Sequence, residues 1–343
     1  MNPLILQEDQ ERVLAATRSL WAEARGASFF ITGGTGFFGK SILESFLHAN
    51  DKLGLGAKAL VLSRDPEKFL KQYPQFVQPT LKFLKGDVRD FEFPNEKFQY
   101  VLHAATEASV TLNLNSPAVM FDTVVEGTRR VLDFSVKCGA KKVLLTSSGA
   151  VYGCQDPAMS HVYESYLGAP DTLVPGGAYG EGKRTAELLC ALYAAQYGFE
   201  VKIARCFAFV GPHLPQDVHF AVGNFIRDVL VGKSIDIQGD GTTYRSYLYS
   251  SDLMIWLWTI LFKGRSARAY NVGSEKAVSI RELAEAVVKA CGSKAGFQVH
   301  GKSVQGKPAE RYVPSVKRAE EELGLKQTVD LEEAIRRTFE YHR

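Results

Sequence analysis

The sequence predicts an α/β fold, a doubly wound parallel sheet with a smaller carboxyl-terminal lobe. First, short apolar segments typical of buried strands alternate with longer amphipathic segments typical of helices. This alternation indicates βαβ units, whose strands are parallel. Second, a glycine-rich turn follows the first apolar segment and opens a long amphipathic one. Third, the alternation ends after Arg205, where Gly- and Pro-rich loops indicate a second lobe.

The predicted strands are apolar at their centres, as expected of strands that are buried on both faces of a sheet. They lie at residues 28–32, 59–62, 81–84, 100–103, 142–146 and 199–204. Helices are predicted at 36–48, 118–138 and 179–197, and in the second lobe at 224–230, 279–291 and 331–342. An amphipathic helix is predicted over 7–24, and residues 235–241 have the pattern of a hairpin.

These elements divide the chain into three parts. Residues 1–27 form an amino-terminal helical extension, and residues 28–206, completed by 247–265, form the main domain. Residues 207–246 and 266–343 form the smaller lobe. The long segment 154–177 follows a strand end, so we expect it to cover a ligand at the carboxyl edge of the sheet.

Composition and charge exclude several classes of function. The 343 residues carry a scattered formal net charge of only +3, which predicts no nucleic-acid partner. No apolar run approaches the ~18 residues that span a bilayer, so we expect no membrane segment. The five cysteines are odd in number, widely spaced and without a CxxC pair. This spacing predicts neither a metal site nor a disulfide framework, and it favours a cytoplasmic location.

The glycine-rich turn predicts a dinucleotide site. Gly33, Gly36 and Gly39 follow a predicted strand and open a predicted helix. Because these residues lack side chains, the backbone can approach a pyrophosphate closely, and the helix amino terminus supplies N–H donors. The alternative is an ordinary tight turn. The predicted cofactor contacts of this loop are Gly33, Thr35, Gly36, Phe37, Phe38 and Gly39.

The ends of the next strands indicate which dinucleotide is bound. An NAD site usually ends the second strand with an acidic residue on the ribose, whereas Ser63 and Arg64 stand there in this chain. A guanidinium suits a 2′-phosphate, so NADP is favoured over NAD, unless Arg64 belongs only to a solvated turn. The further predicted cofactor contacts are Asp87 and Val88 beside the adenine, and Ala104, Ala105 and Thr106 after the fourth strand.

Three further residues predict acid/base chemistry. Tyr179 and Lys183 are four residues apart, so they project from one helix face. A neighbouring cation lowers the pKa of a tyrosine from its ordinary value of about 10, which would make Tyr179 a general base. Ser148, at the end of the fifth strand, is placed to bind the reacting oxygen. Tyr179 and Lys183 are also predicted to contact the cofactor.

With these motifs the chain resembles the extended short-chain dehydrogenase/reductase family, in its nucleotide-sugar epimerase/dehydratase branch. The resemblance rests on residues 32–39, 86–88, 146–153, 179–183, 205–212, 239–245 and 270–273. It implies a Rossmann-type domain that binds NAD(P) and a second lobe that binds a nucleoside-diphosphate sugar. It also implies a homodimer formed through the helices at 118–138 and 179–197. The implied first step removes a hydride from sugar C4 while Tyr179 takes the hydroxyl proton.

One departure from the family pattern bears on the reaction. The 4,6-dehydratases of this family carry an Asp-Glu pair where this chain has Gly149 and Ala150. Neither residue can move a proton, so dehydration is disfavoured unless Glu164 or another acid of segment 154–177 replaces the pair. The small residues suit an epimerase or a 4-ketoreductase.

The predicted substrate contacts are Ser148, Gly149, Ala150, Asn224, Arg245 and Lys307. Helix capping is an equally good explanation of Asn224, and Arg245 could be a surface charge of the hairpin. A different hypothesis is a catalytically silent dinucleotide-binding protein on the same fold. That hypothesis predicts loss of the catalytic residues, and Ser148, Tyr179 and Lys183 are all present.

Overall fold

The computed structural model describes residues 2–106, 110–216, 220–303, 306 and 308–343. The predicted substrate contact Lys307 lies outside the described residues. The strands are β1 Ser28–Thr32, β2 Lys58–Ser63, β3 Leu81–Lys85, β4 Tyr100–His103, β5 Lys142–Ser148, β6 Glu200–Cys206, β7 Phe209–Val210, β8 Ile235–Ile237, β9 Tyr244–Arg245, β10 Leu248–Tyr249, β11 Arg268–Val272, β12 Val278–Ser279, β13 Phe297–Val299 and β14 Arg311–Tyr312.

Helices flank the main sheet and fill the second lobe. They are α1 Pro3–Thr17, α2 Phe37–Leu53, α3 Pro66–Gln72, α4 Val110–Asn115, α5 Pro117–Cys138, α6 Ala178–Tyr197, α7 Ala221–Leu230, α8 Ser250–Lys263, α9 Ile280–Ala290, α10 Lys317–Leu323 and α11 Leu331–His342. Short 3-10 segments lie at Arg18–Ala24, Pro74–Phe76, Gly149–Tyr152 and Pro175–Gly177. Within the described residues, no helix is both long and apolar enough to cross a membrane.

The main sheet has seven parallel strands in the order β11-β6-β5-β4-β1-β2-β3. The predicted α/β fold with a Rossmann-type, doubly wound sheet is therefore confirmed. The strand order reverses between β1 and β4, and a crevice forms at the carboxyl ends of the strands at such a point. The glycine turn after β1 lies at this switch point.

Alternating side chains on β1 explain why the sheet is covered on both faces. Phe29 and Ile31 pack into the core that α1, α2 and α8 cover, whereas Phe30 packs into the core beneath α5 and α6. All three side chains are fully buried. Since successive strand residues point to opposite faces, one apolar strand stabilises both layers at once.

The strand pairings contradict two sequence predictions. Residues 266–343 were assigned to the smaller lobe, but β11 forms the edge strand of the main sheet, paired in parallel with β6. Residues 235–241 were predicted as a hairpin, but β8 pairs in parallel with β13, which lies far along the chain. Both pairings are long-range, so local turn signals do not reveal them.

The terminal helices are tied to each other by a buried polar cluster. The Arg337 guanidinium on α11 donates to Asp9 on α1 at 2.9 Å, and the Tyr249 hydroxyl donates to the same carboxylate at 2.7 Å. Burial raises the pKa of Asp9 to about 6, although the Arg337 charge acts in the opposite direction. The 3-10 segment after α1 also packs Trp21 on Trp258 of α8, with ring centroids 4.6 Å apart. The amino-terminal extension is thus part of the core.

Candidate active site

In the glycine loop after β1, close approach of the backbone excludes a side chain at Gly33 and at Gly39. A Cβ at Gly33 would lie 2.4 Å from the Ala104 carbonyl carbon, and Gly33 has a φ of +72°. A Cβ at Gly39 would lie 2.2 Å from the Gly33 carbonyl oxygen. Side chains at these positions would push the loop away from β4 and from its own helix. These glycines therefore set the path of the loop.

The third glycine has open space beside it. The nearest heavy atom to a Cβ at Gly36 is the Gly33 oxygen, at 3.5 Å, which is ordinary van der Waals contact. Gly36 is the N-cap of α2, which has neither a side-chain cap bond nor an acidic residue in its first turn. An uncapped helix amino terminus that is open to solvent has free N–H donors that can bind an anion. The loop therefore fits a dinucleotide pyrophosphate.

The two phenylalanine rings of the loop pack against the protein. The Phe37 and Phe38 rings are half-buried, and Phe38 packs edge-on against Phe209 at 5.1 Å. Their backbone groups form the first turn of α2, so they could contact an anion through the backbone only. Thr35, between the glycines, is also half-buried.

The end of β2 carries an arginine, where NAD sites usually have an acidic residue that binds the ribose. Ser63 is buried, and Arg64 is exposed at the edge of the crevice. The Asp65 carboxylate accepts the Lys68 N–H at 3.0 Å as the N-cap of α3. The Asp65 carboxylate is therefore bound to its own helix, next to Arg64.

The end of β3 holds Asp87 in an ion pair. The Arg89 guanidinium donates to both oxygens of Asp87, at 2.8 and 3.2 Å, and these bonds hold the pKa of Asp87 below its ordinary value. The charge of Arg64 acts in the same direction, so Arg64 lies near this pair. Val88 packs beside Gly127, where a Cβ would lie 2.9 Å from a Val88 methyl group. Asp87 and Val88 thus follow β3, with Val88 packed against α5.

The turn after β4 joins the glycine loop to the catalytic side of the crevice. The Ala104 N–H donates to the Thr32 carbonyl at 3.2 Å, and the Ala105 N–H donates to the Thr32 hydroxyl at 3.2 Å. His103, just before this turn, is buried between the hydroxyls of Thr32 and Thr128, at 2.8 and 3.1 Å. Burial, with a smaller effect of Lys183, lowers the pKa of His103 to about 3, so this histidine is a neutral packing residue.

Lys183 is buried and bonded to both neighbouring strand ends. Its ammonium donates to the Thr106 hydroxyl at 2.6 Å and to the Thr146 carbonyl at 2.8 Å. Burial lowers the pKa of Lys183 to about 8. An ammonium has three N–H donors, and these two bonds fix its orientation. Among the described residues no third partner is bonded to this ammonium, which leaves one donor for a further group.

The Tyr179 hydroxyl lies beside Ser148, and the side chain is half-buried. Burial raises the pKa of Tyr179 to about 12, while a hydrogen bond with Ser148 acts in the opposite direction. The Lys183 nitrogen lies 6.0 Å from the centre of the Tyr179 ring and is directed toward Thr106 and Thr146. The sequence predicted a pKa lowered by Lys183, whereas in this structure burial raises the pKa of Tyr179 and the opposing effect comes from Ser148.

Asn113 on α4 positions the start of the Tyr179 helix, which the sequence analysis missed. Its side-chain oxygen accepts the Tyr179 N–H at 3.2 Å, and its amide nitrogen donates to the Gly176 carbonyl at 2.8 Å. Since α6 has no side-chain cap of its own, Asn113 supplies this bond from another helix. The short helix α4 carries no periodic pattern that would have revealed it.

Two aromatic side chains fill the space beside Gly149. A Cβ at this residue would lie 2.7 Å from ring atoms of Phe207 and 2.7 Å from the Tyr312 hydroxyl. The Phe207 and Tyr312 rings pack together with their centroids 4.7 Å apart. Ser148 accepts the Ala150 N–H at 3.1 Å, and the Ser148 and Tyr312 hydroxyls are 3.5 Å apart. A carboxylate side chain at position 149 has no room in this arrangement.

Glu164 was the predicted substitute for the Asp-Glu pair of the dehydratases, but its carboxylate binds other residues. Its carboxylate accepts the Asn271 N–H at 2.9 Å and lies 3.8 Å from the Arg318 guanidinium. Its side chain is only 4% exposed. These contacts anchor segment 154–177 to β11, so Glu164 is a structural residue and does not replace the missing acids.

The second lobe brings arginines to the edge of the site. Arg245 on β9 lies over the Tyr312 ring, with its guanidinium carbon 5.6 Å from the centroid. Arg311 on β14, which the sequence analysis missed, lies 4.2 Å from the centre of the Tyr244 ring. Asn224 lies inside α7, which begins at Ala221, so the capping explanation is wrong. Its oxygen instead lies 3.5 Å from a guanidinium nitrogen of Arg227.

Comparisons with known proteins show the family of the chain. Residues 29–273 match the model of the NAD dependent epimerase/dehydratase family. UDP-glucuronic acid decarboxylase 6 of Arabidopsis thaliana is 30% identical over 308 residues, which cover 89% of this chain and 85% of that protein.

Solved structures share the fold at lower identity. UDP-N-acetylglucosamine 4-epimerase from Methanobrevibacter ruminantium has a TM-score of 0.79 at 22% identity, covering 92% of this chain and 98% of that one. The dTDP-glucose 4,6-dehydratase DesIV from Streptomyces venezuelae, with NAD bound, has a TM-score of 0.77 at 24% identity, covering 92% and 96%. The chain is therefore an enzyme of the NAD-dependent epimerase/dehydratase family, the extended short-chain dehydrogenases/reductases.

Proposed function

We propose that the protein oxidises and reduces C4 of a nucleoside-diphosphate sugar, as an epimerase or a 4-ketoreductase. The main support is the arrangement around Ser148, where Tyr179 and Lys183 supply acid/base groups. In addition, Phe207 and Tyr312 occupy the space that an acidic side chain at position 149 would need. A keto sugar formed there meets no carboxylate from residues 149 and 150 that could promote loss of water. The proposal therefore excludes dehydration by that pair.

The residues of the crevice fit a dinucleotide, and each has a proposed role. The Gly36 end of α2 holds the pyrophosphate, Ala104–Thr106 line the path to the reacting centre, and the remaining Lys183 donor holds the nicotinamide ribose. When bound, the nicotinamide supplies the acceptor and donor of hydride. Tyr179 acts as the base only as the phenolate, which takes the proton of the sugar hydroxyl during oxidation; the phenol returns that proton during reduction. Ser148 donates a hydrogen bond to the same sugar oxygen.

We further propose that the enzyme prefers NADP over NAD. Support comes from Arg64 at the end of β2 and from Asp65, whose carboxylate caps α3 and is directed at that helix. Guanidinium groups bind phosphate with charge-assisted, bidentate geometry, so a 2′-phosphate gains contacts that a 2′-hydroxyl lacks.

Replacing Arg64 with alanine tests this preference. We expect the Kd for NADP to rise about tenfold to a hundredfold, the value of one or two charge-assisted hydrogen bonds, while the Kd for NAD changes little. Fluorescence titration of the reduced cofactors measures both constants. Lys71→Ala removes the same charge from the exposed face of α3 and serves as the control. Equal affinity of the unaltered protein for NAD and NADP would argue against the proposal.

The diphosphate of the substrate is proposed to lie beside the second lobe. Arg245, Arg311 and Asn224 are the side chains that support this orientation, together with Lys307, which is proposed from the sequence alone. Arginine is well suited to a diphosphate because its fork of donors matches the phosphate oxygens. Gly149 and Ala150 would border the sugar ring.

Decarboxylation is the second candidate reaction. The 30% identity to a UDP-glucuronic acid decarboxylase favours it. Chemically, a sugar acid oxidised at C4 becomes a β-keto acid, which loses CO₂ without a dedicated base. The acid/base groups at Ser148 and Tyr179 would therefore serve this reaction as well.

A panel of nucleotide sugars, assayed with each oxidised and reduced cofactor, distinguishes the candidates. An epimerase inverts C4 without net change in the absorbance of the reduced nicotinamide, whereas a ketoreductase consumes reduced cofactor in stoichiometric amounts. A decarboxylase releases CO₂ only from a sugar with a C6 carboxylate. A product lighter by one water would contradict the proposal, and so would the absence of any turnover across the panel.

We propose that the protein is a homodimer formed through α5 and α6. These helices pack on each other and expose apolar side chains, including Val119 on α5 and Leu188 and Leu192 on α6, with exposed fractions of 45, 59 and 53%. Leu188 and Leu192 are one helical turn apart, so they form a continuous apolar stripe. Sedimentation equilibrium at a mass of one chain, 37.9 kDa, would argue against the dimer.

A further inference from the structure

Tyr312 is a tyrosine of the second lobe that reaches the catalytic centre. Strand β14 pairs with β9, and the Val313 N–H that follows donates to the Gln155 side chain at 3.0 Å. The Val162 N–H donates to the Val313 carbonyl at 2.9 Å. These bonds fix the chain on both sides of the tyrosine to β9 and to segment 154–177. The hydroxyl is thereby held 3.5 Å from the Ser148 hydroxyl.

The hydrogen bonds around Ser148 are limited by its own chemistry. A hydroxyl has one proton to donate and two lone pairs to accept with. The Ala150 N–H already donates to Ser148 at 3.1 Å, and the serine proton faces the Tyr179 oxygen, since this hydrogen bond lowers the Tyr179 pKa. Burial raises the pKa of Tyr312 above its ordinary value, so the phenol stays protonated across the neutral range and is able to donate. The two hydroxyl oxygens are 3.5 Å apart, which is long for a hydrogen bond. Hydrogen bonds at catalytic centres are often long without substrate and tighten in the complex.

We propose that Tyr312 is a positioning residue that, with the Ala150 N–H, occupies both lone pairs of Ser148 and directs the Ser148 proton at the reacting sugar oxygen. Without Tyr312, the serine hydroxyl can rotate and accept a hydrogen bond from the sugar hydroxyl instead of donating one. Ser148 would then stabilise the developing oxyanion less well. The inference rests on the proposed C4 chemistry, and it assigns a role in that chemistry to the second lobe.

A double-mutant cycle with Ser148→Ala and Tyr312→Phe tests the proposal. The phenylalanine keeps the ring that packs on Phe207 and under Arg245. We expect Tyr312→Phe to lower kcat about tenfold, the worth of one hydrogen bond, with KM and melting temperature little changed. In the Ser148→Ala background the same change should have almost no effect, because Tyr312 acts through the serine.

Tyr100→Phe is the matched control, since it deletes a hydroxyl that donates to the Glu23 carbonyl at the opposite edge of the sheet. Its kcat should equal that of the unaltered enzyme. A Tyr312→Phe enzyme with unchanged kcat overturns the inference. An equal loss in both backgrounds, or a loss seen only in KM, overturns it too. If the unaltered enzyme turns over no nucleotide sugar, the proposed function fails and this inference fails with it; in the other cases the proposed function stands.

Discussion

Replacing Tyr179 with phenylalanine is expected to lower kcat by about 10²- to 10⁴-fold, the range that a positioned general acid/base contributes. The variant keeps the ring, which packs against the core beneath α5 and α6. Cofactor binding and the fold should therefore be preserved, so KM and the melting temperature should change little. Steady-state kinetics on the substrate identified by the panel, together with a thermal melt, measure both effects.

Tyr193→Phe provides the control for this variant, because it removes a hydroxyl from the same helix, where Tyr193 donates to Asp133 at 2.5 Å. Its kcat should match that of the unaltered enzyme. Turnover that survives unchanged in Tyr179→Phe would exclude the mechanism described above. A loss of melting temperature as large as the loss of activity would indicate a structural role for the tyrosine.

The pH dependence of the Tyr179 reaction is expected to be set first by its lysine. Burial lowers the pKa of Lys183 to about 8 and raises the pKa of Tyr179 to about 12. As pH rises, Lys183 therefore loses its charge while Tyr179 still keeps its proton. Because the charged lysine holds Thr106 and the end of β5, kcat/KM, which reports groups of the free enzyme, should decline above about pH 8.

The sequence predicts the main sheet well because its signals are local. The strand predicted at 100–103 coincides with β4, and the helix predicted at 331–342 coincides with α11. In each case apolar spacing and the flanking turn residues agree with the final fold. The same holds for Ser148, Tyr179 and Lys183, which come together because the carboxyl ends of parallel strands meet at one edge of the sheet.

The parts that could not be predicted depend on contacts between distant residues. Strand β14 has only two residues, and its position is set by pairing with β9, so no periodicity indicates that Tyr312 would face Ser148. The raised pKa of Tyr179 has the same origin, since burial is a property of the assembled core. The missing acids at Gly149 and Ala150 were visible in the sequence, but the aromatic rings that fill their space were not.

The second large effect is expected at Gly36, where we predict that Gly36→Val lowers cofactor affinity at least about tenfold with only a small loss of stability, since valine is a poorer N-cap than glycine. A Cβ at this position meets only the Gly33 oxygen, at 3.5 Å, so the folded protein accommodates a side chain. The added methyl groups would occupy the space in which a pyrophosphate must approach the end of α2. Fluorescence titration with reduced cofactor and a thermal melt give the two quantities.

Gly39→Ala supplies the contrast that makes this prediction specific. Its Cβ would lie 2.2 Å from the Gly33 oxygen and 2.3 Å from the Gly34 carbonyl carbon, and both atoms belong to the backbone. Relieving such overlap moves the loop, so this variant should lose about 1–3 kcal/mol of unfolding free energy as well as cofactor affinity. A Gly36→Val protein that binds cofactor normally would mean that the phosphates lie elsewhere. If both variants lose the same amount of stability, Gly36 is a packing glycine. The result would then give no support for a pyrophosphate at the amino terminus of α2.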